Sequence, residues 1–290
     1  MSETKNPAYG WGSDLLDLDA YLTRIGVEGP LPPTVPTLRT LVRAHVLAIP
    51  FENLEVVLGR TVPLGVGDLQ NKLVRSPRGG YCYEHVSLFA SVLERLGFTA
   101  TGLSARVRMA TGLLRPATHA LLRVRVPGEA REWICDVGFG EGLMEPVELA
   151  DGAETTGEAW AFRLERDGAE GWLLHALRPD GRIDAHAFTL DRRYAIDYLV
   201  LNHYISSHPR SPFVGRLVVQ GVRPEVRHVL HNVTLTSSRA DGTSETRRFG
   251  PEEVPAVLEE VFGIVLDAPD TECLVGYLPS EEAGRTAKTS

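Results

Sequence analysis

The 290-residue chain is poor in cysteine: three occur, Cys82, Cys135 and Cys273, with no CxxC pair. So sparse and odd a set excludes a disulfide scaffold. It fits a reducing compartment, where a cysteine is either a small core residue or a reactive thiol. A basic excess is missing too: 30 Lys and Arg against 38 Asp and Glu leave a formal charge of −8, so no broad basic face is expected for nucleic acid. No stretch approaches the ~18 apolar residues that span a bilayer, and Met1 to Gly10 has no cationic-then-apolar leader pattern. Neither a phosphate-binding loop of the Walker type nor zinc-ligand spacing occurs, so no metal is expected. With 28 Gly and 19 Pro, the chain stays well below the ~25–30% that marks low complexity. We therefore expect a soluble cytoplasmic protein, long enough for a substantial core.

What is present divides by period. The first third reads as helical. Ser13 is expected to cap a run with Leu15, Leu18, Leu22 and Ile25 at helical spacing, ended by Gly26. Thr37 is expected to cap a second helix with Leu38, Leu41, Val42, His45 and Val46 on one face, stopped by Pro50. A short helix over Asp68 to Val74 precedes Pro77-Arg78-Gly79-Gly80. Then Val86, Phe89, Ala90, Leu93 and Leu96 form another helical stripe, closed by Gly97.

From Phe98 the period becomes two. Ala120, Leu122, Val124 and Val126 alternate with Leu121, Arg123 and Arg125, the pattern of a half-buried strand. Further strands over 132–137, 160–164, 171–177 and 185–190 predict a small antiparallel sheet or barrel. A helix over 192–206, strands over 217–220 and 229–236, a turn at Asp241-Gly242 and a helix from Pro251 to Phe262 follow. Residues beyond Pro279 read as a loose tail.

The chemistry concentrates in Arg78-Gly79-Gly80-Tyr81-Cys82-Tyr83-Glu84-His85. The two glycines allow a turn that a Cβ would bar, and the helix that starts at once puts Cys82 in its first turn. There the unpaired N–H groups and the dipole favour a thiolate. A cysteine at such a turn is a structural core residue or a nucleophile. A nucleophile needs a base, and the base needs an orienting group. Nine histidines occur. His45 reads as a core or interface residue on an apolar face, and His85 is close enough in sequence to reach Cys82 or to point elsewhere. His119 opens a strong strand, and Asp136 ends the next one, as adjacent strands joined by a hairpin would place them.

At these residues the chain resembles the arylamine N-acetyltransferase family. The matching pieces are Tyr21-Leu22-Thr23-Arg24-Ile25-Gly26, His45 with Ile49-Pro50-Phe51-Glu52-Asn53-Leu54, Arg78 to Glu84, Thr118-His119-Ala120-Leu121, and Asp136-Val137-Gly138-Phe139-Gly140. A weaker match continues through Tyr204, Ser206, His208-Pro209 and Phe213. One departure is Val86, where many relatives carry Asn.

The resemblance implies an α+β fold: a helical bundle (1–97), an antiparallel β-barrel (98–205) and an α/β lid (206–290), around a cysteine-protease-like core. It implies Cys82 as acyl-accepting nucleophile, His119 as base and Asp136 as orienting carboxylate, with Arg24 and Glu52 as a buried ion pair supporting the site. Phe51, Tyr83, Val107 and Phe213 would line the acceptor pocket; Thr118, Gly138, Phe139 and Gly140 would edge the coenzyme A channel. The implied activity is ping-pong acetyl transfer from acetyl-coenzyme A, a co-substrate rather than a tightly bound cofactor, to arylamines, arylhydrazines or N-hydroxyarylamines. A homodimer is left open. The same triad would also serve an amide synthase that closes a polyketide macrolactam, or a cysteine hydrolase.

Overall fold

The computed structural model of the chain describes residues 10–109, 114–140, 143–155, 160–169, 171–178 and 181–279. Its fold is α+β. The helices are α1 (Leu18–Ile25), α2 (Val35–Ala48), α3 (Leu54–Val57), α4 (Val66–Leu69), α5 (Cys82–Arg95), α6 (Ala195–Ser207), α7 (Val254–Phe262) and α8 (Ala268–Tyr277). None of the described helices is long and apolar enough to cross a membrane.

Several expected boundaries move, for local reasons. Ser13–Leu15 is a separate 3-10 turn with Leu15 exposed, and α1 starts later, where the Asp17 carboxylate accepts from Ala20 N. Thr34 rather than Thr37 caps α2: its hydroxyl accepts from Thr37 N, and Pro36 sits in the first turn, where a missing N–H costs nothing. The short helix before the glycine pair is α4 followed by a π turn over Gln70–Val74. At the end of α5, Gly97 takes φ 90°, and Phe98 N donates to Leu93 O as the sequence led one to expect.

Eight antiparallel strands form the central sheet: β2 (Thr99–Val107), β3 (His119–Arg125), β4 (Glu132–Cys135), β5 (Val147–Glu148), β6 (Ala153–Glu154), β7 (Phe162–Asp167), β8 (Gly171–Arg178) and β9 (Gly181–Thr189). Their order is β5-β4-β3-β2-β9-β8-β7-β6. The edge strands β5 and β6 come together, so the sheet nearly closes into a barrel. Strand β3 is not half-buried at its start. Ala120, Leu122 and Val124 pack into the helical core while Leu121 enters the barrel interior, so both faces are covered.

A second sheet has the order β1-β10-β11-β12-β13, with β1 (Phe51–Glu52), β10 (Val218–Val222), β11 (Val226–His231), β12 (Thr234–Arg239) and β13 (Ser244–Arg248). The run expected as one strand over 229–236 is a hairpin. Asn232 turns it at φ 52°, a conformation asparagine tolerates, while its Oδ1 accepts from Leu217 N at 2.8 Å. Strand β1 belongs to the helical third of the chain, and its pairing with β10 closes the second sheet over the start of α5.

Candidate active site

Helix α5 is buried on every side from Cys82 to Leu93, a central helix packed against β2 and β3. Its start is fixed by the glycine pair, though not through φ, since neither Gly79 nor Gly80 is left-handed. A Cβ on Gly79 would strike the Pro50 carbonyl, and one on Gly80 would strike the Glu84 side chain. Close approach, not turn geometry, requires the two glycines. Gly80 N donates to Pro50 O, Glu52 N to Gly80 O, and Tyr81 N to the Glu84 carboxylate at 3.0 Å.

Cys82 is thereby held at the first residue of α5, nearly buried, with Sγ 3.9 Å from Thr118 O and within hydrogen-bonding reach of His119. The antiparallel pairing of β3 with β4 puts Asp136 beside His119, and Nε2 of His119 donates to Asp136 Oδ2 at 2.8 Å. The three residues expected from the sequence therefore meet. Burial opposes charge on His119, but the Asp136 carboxylate and the Cys82 side chain outweigh it and raise its pKa to about 10. Burial also opposes ionisation of Asp136. The two imidazoles, His119 first and His186 second, with help from the Gly138 N–H, hold it below its usual range.

A cavity of about 540 Å³ opens on this cluster, lined by Cys82, His119, Phe51, Val107, Thr118, Gly138, Phe139 and Phe213 among others. Two expected residues are elsewhere. Tyr83 is fully buried behind the wall and donates its hydroxyl to Thr118 O at 2.7 Å. Gly140 lines a small recess beside the cavity with Asp136 and Gln220. The wall also includes Met109, Arg115, Arg210, Arg216 and Gln220, which the sequence did not single out, and Tyr204, which belongs to the weaker family match but was given no pocket role.

The expected Arg24–Glu52 pair does not form. Glu52 accepts from Arg78 Nε and Nη2 at 3.1 and 2.9 Å and lies 3.6 Å from Lys72 Nζ, whereas Arg24 Nε donates to Leu73 O. His85 points away from Cys82. Tyr21 donates to His45, His45 to His85, and His85 Nε2 to Pro50 O, the only direction in which an acceptor-only carbonyl can end the chain. Burial keeps both histidines neutral, His85 down to about 4.

His186 was also missed. It sits on β9, fully buried, with Nε2 3.4 Å from Asp136 Oδ2. Its only signal was an ordinary alternating strand, and it reaches the site through the pairing of β9 with β2. Ligand atoms of His119, Asp136 and His186 lie within 4.8 Å of one another. A metal ion there would have to displace the 2.8 Å His119–Asp136 hydrogen bond.

The family described as N-acetyltransferase matches residues 34–271. The arylamine N-acetyltransferase of Mycolicibacterium smegmatis is 39% identical over 256 residues, 87% of this chain and 93% of that protein. The arylamine N-acetyltransferase of Escherichia coli K12 is 33% identical over 255 residues, 86% of this chain and 89% of that protein. Among solved structures, the Nocardia farcinica arylamine N-acetyltransferase superposes with a TM-score of 0.90 at 50% identity, covering 93% of this chain and 97% of that one. The Mycobacterium marinum arylamine N-acetyltransferase in complex with CoA superposes at 0.83 and 33% identity, covering 90% and 99%.

Proposed function

Because the chain belongs to the arylamine N-acetyltransferase family, we propose that it moves an acetyl group from acetyl-coenzyme A to an aromatic amine, hydrazine or N-hydroxyarylamine through acetyl-Cys82. The observation that carries this is a thiol, an imidazole and a carboxylate joined in one buried line that opens on a cavity. The raised pKa of His119 lets its imidazole take up the proton that the attacking Cys82 gives up.

The thiolate adds to the thioester carbonyl, and backbone N–H groups at the start of α5 receive the developing oxyanion. The bond to the coenzyme sulfur breaks, and the departing thiolate takes the His119 proton. An amine nitrogen then adds to the acetyl-cysteine carbonyl and gives its proton to His119. Collapse breaks the Cys82–acyl bond, releases the amide and restores the ion pair. An arylamine is neutral near pH 7 and needs no prior deprotonation, and Phe51, Val107, Phe139 and Phe213 supply an apolar wall for its ring.

The coenzyme's anionic part has a place beyond Phe139 and Met109. These two residues also line a second cavity of about 610 Å³, which carries Arg178, Arg227 and Arg239. Arg227 is buried, its guanidinium 4.0 Å from the Trp160 ring centroid. Guanidinium groups suit phosphates. Helical residues 1–97, barrel residues 98–205 and lid residues 206–290 are the three working parts in this reading, and thiol chemistry of this kind suits a reducing cytoplasm and a role in handling foreign amines.

Intact-mass measurement tests the route. Acetyl-coenzyme A should add one acetyl group to the protein, an arylamine should remove it as the acetamide, and Cys82→Ala should prevent both. Full acetyl transfer by Cys82→Ala would sink the proposal.

A further inference from the structure

Two imidazoles approach Asp136, and the chemistry above uses one. His186 has no exposed surface, yet neither ring nitrogen makes a hydrogen bond of normal geometry with any described residue. A buried imidazole left in that state is costly, and an apolar ring would fill the space without the cost. Apolar rings already surround it: Phe139 and Phe188 lie 5.1 and 6.2 Å away between centroids. Among the described residues it lies beside the His119 ring, 5.0 Å between centroids, and its ion-pair partner is Asp136 Oδ2, at 3.4 Å, the oxygen that already accepts from His119 at 2.8 Å. Asp136 Oδ1 makes no hydrogen bond of normal geometry with any described residue either, so beyond His119 and the Gly138 N–H this buried carboxylate still has room for a donor.

We propose that His186 is a positioning residue of the reaction: its neutral Nε2–H closes onto Asp136 Oδ2 and holds the carboxylate ionised and aimed along the His119–Cys82 line. This rests on the triad reading above. The titratable groups of the cluster are Cys82 from α5, His119 from β3, Cys135 from β4 and His186 from β9. Burial keeps His186 uncharged, with a pKa of about 4, so it supplies a donor without competing with the His119 cation. The β9–β2 pairing, in which His186 faces Val107, fixes the ring's place from a strand that carries none of the triad.

The test compares wild type with His186→Phe, His186→Leu and His186→Asn in the full chain. Three quantities are measured: the pH profile of Cys82 alkylation by iodoacetamide, kcat and KM for acetyl-coenzyme A, and the melting temperature. The apolar variants should show the acid limb moved up by about one unit, and so alkylate about tenfold more slowly at pH values below that limb. Their kcat should fall while KM holds, and His186→Asn, which regains a donor, should recover most of the loss. A folded apolar variant with the wild-type alkylation profile would overturn the proposal. So would His186→Asn as slow as His186→Phe, or unfolding of both apolar variants, since each makes the ring a packing element. A wild-type Cys82 that resists alkylation at neutral pH would instead sink the triad reading.

Discussion

Gly138 lies directly against Cys82: a Cβ on Gly138 would come 2.7 Å from the Cys82 Cα and 3.0 Å from its carbonyl oxygen. The loop after β4 thus closes onto the first residue of α5 only because it carries no side chain there. The same loop bears Asp136 two residues earlier and Phe139 one residue later, so this contact sets both the orienting carboxylate and the cavity wall relative to the sulfur.

Gly138→Ala is expected to push the loop off Cys82. A shift of this size near reacting atoms costs on the order of 100-fold in rate, against about 1–3 kcal/mol of stability for the overpacked contact. Acetyl-enzyme formation should therefore fall far more than the denaturation midpoint. A variant that acetylates at the wild-type rate would contradict the contact.

Stability should peak near neutral pH. His119 is raised in the folded protein to about 10, so the folded state holds a proton that the unfolded chain releases from about pH 6.5 upward. Its stabilisation is complete below that value and is lost as pH rises toward 10. On the acid side, His85 and His186 are depressed to about 4 and His45 is depressed as well. The unfolded chain takes up those protons first, and stability falls from about pH 6.5 toward 4. Glu84, raised to about 7, works the other way over the acid range, as one group against three. Chemical denaturation at a series of pH values reads both limbs. A stability curve that rises steadily below pH 6 would refute the neutral histidine chain.

Arg78→Met should destabilise the fold by about 3–5 kcal/mol, because it strips the buried Glu52 carboxylate of its doubly bonded partner. Arg24→Met, which loses one bond to the Leu73 carbonyl, should cost only about 1 kcal/mol. Urea titration of both variants separates the pairing found here from the one that family resemblance implies. Equal losses would favour the latter.

Arg239 lines the second cavity and is kept apart from the triad by Phe139 and Met109. Arg239→Glu should raise KM for acetyl-coenzyme A roughly tenfold, about 1.4 kcal/mol, and leave the arylamine KM unchanged. Steady-state kinetics with each substrate varied in turn checks this, and equal effects on both substrates would remove the coenzyme from that cavity.

The local patterns of the chain were enough to place much of this. Cys82 opens its helix because two glycines let the preceding segment close on Glu84, four residues on from Gly80, and on Pro50, which the fold brings from farther away. His119 and Asp136 meet because a short hairpin makes β3 and β4 adjacent. The hairpin is a short-range consequence of turn signals and strand period, which a sequence displays directly, and the glycine pair is displayed there too, though not its contact with Pro50. Asn232 shows the limit of such patterns: one residue tolerant of a left-handed turn splits what alternation alone presents as a single strand.

Orientation inside the core was another matter. Helix α5 is buried all round, so no polar face marks which way Tyr83 or His85 points, and the two turn away from the cavity into hydrogen bonds with Thr118, His45 and Pro50. The partner of Glu52 and the arrival of His186 behind Asp136 depend on segments brought together by tertiary packing. Periodicity reports which residues are buried, because burial follows the repeat of each element. Which buried groups touch is decided by how whole elements pack, and only the folded chain settles that.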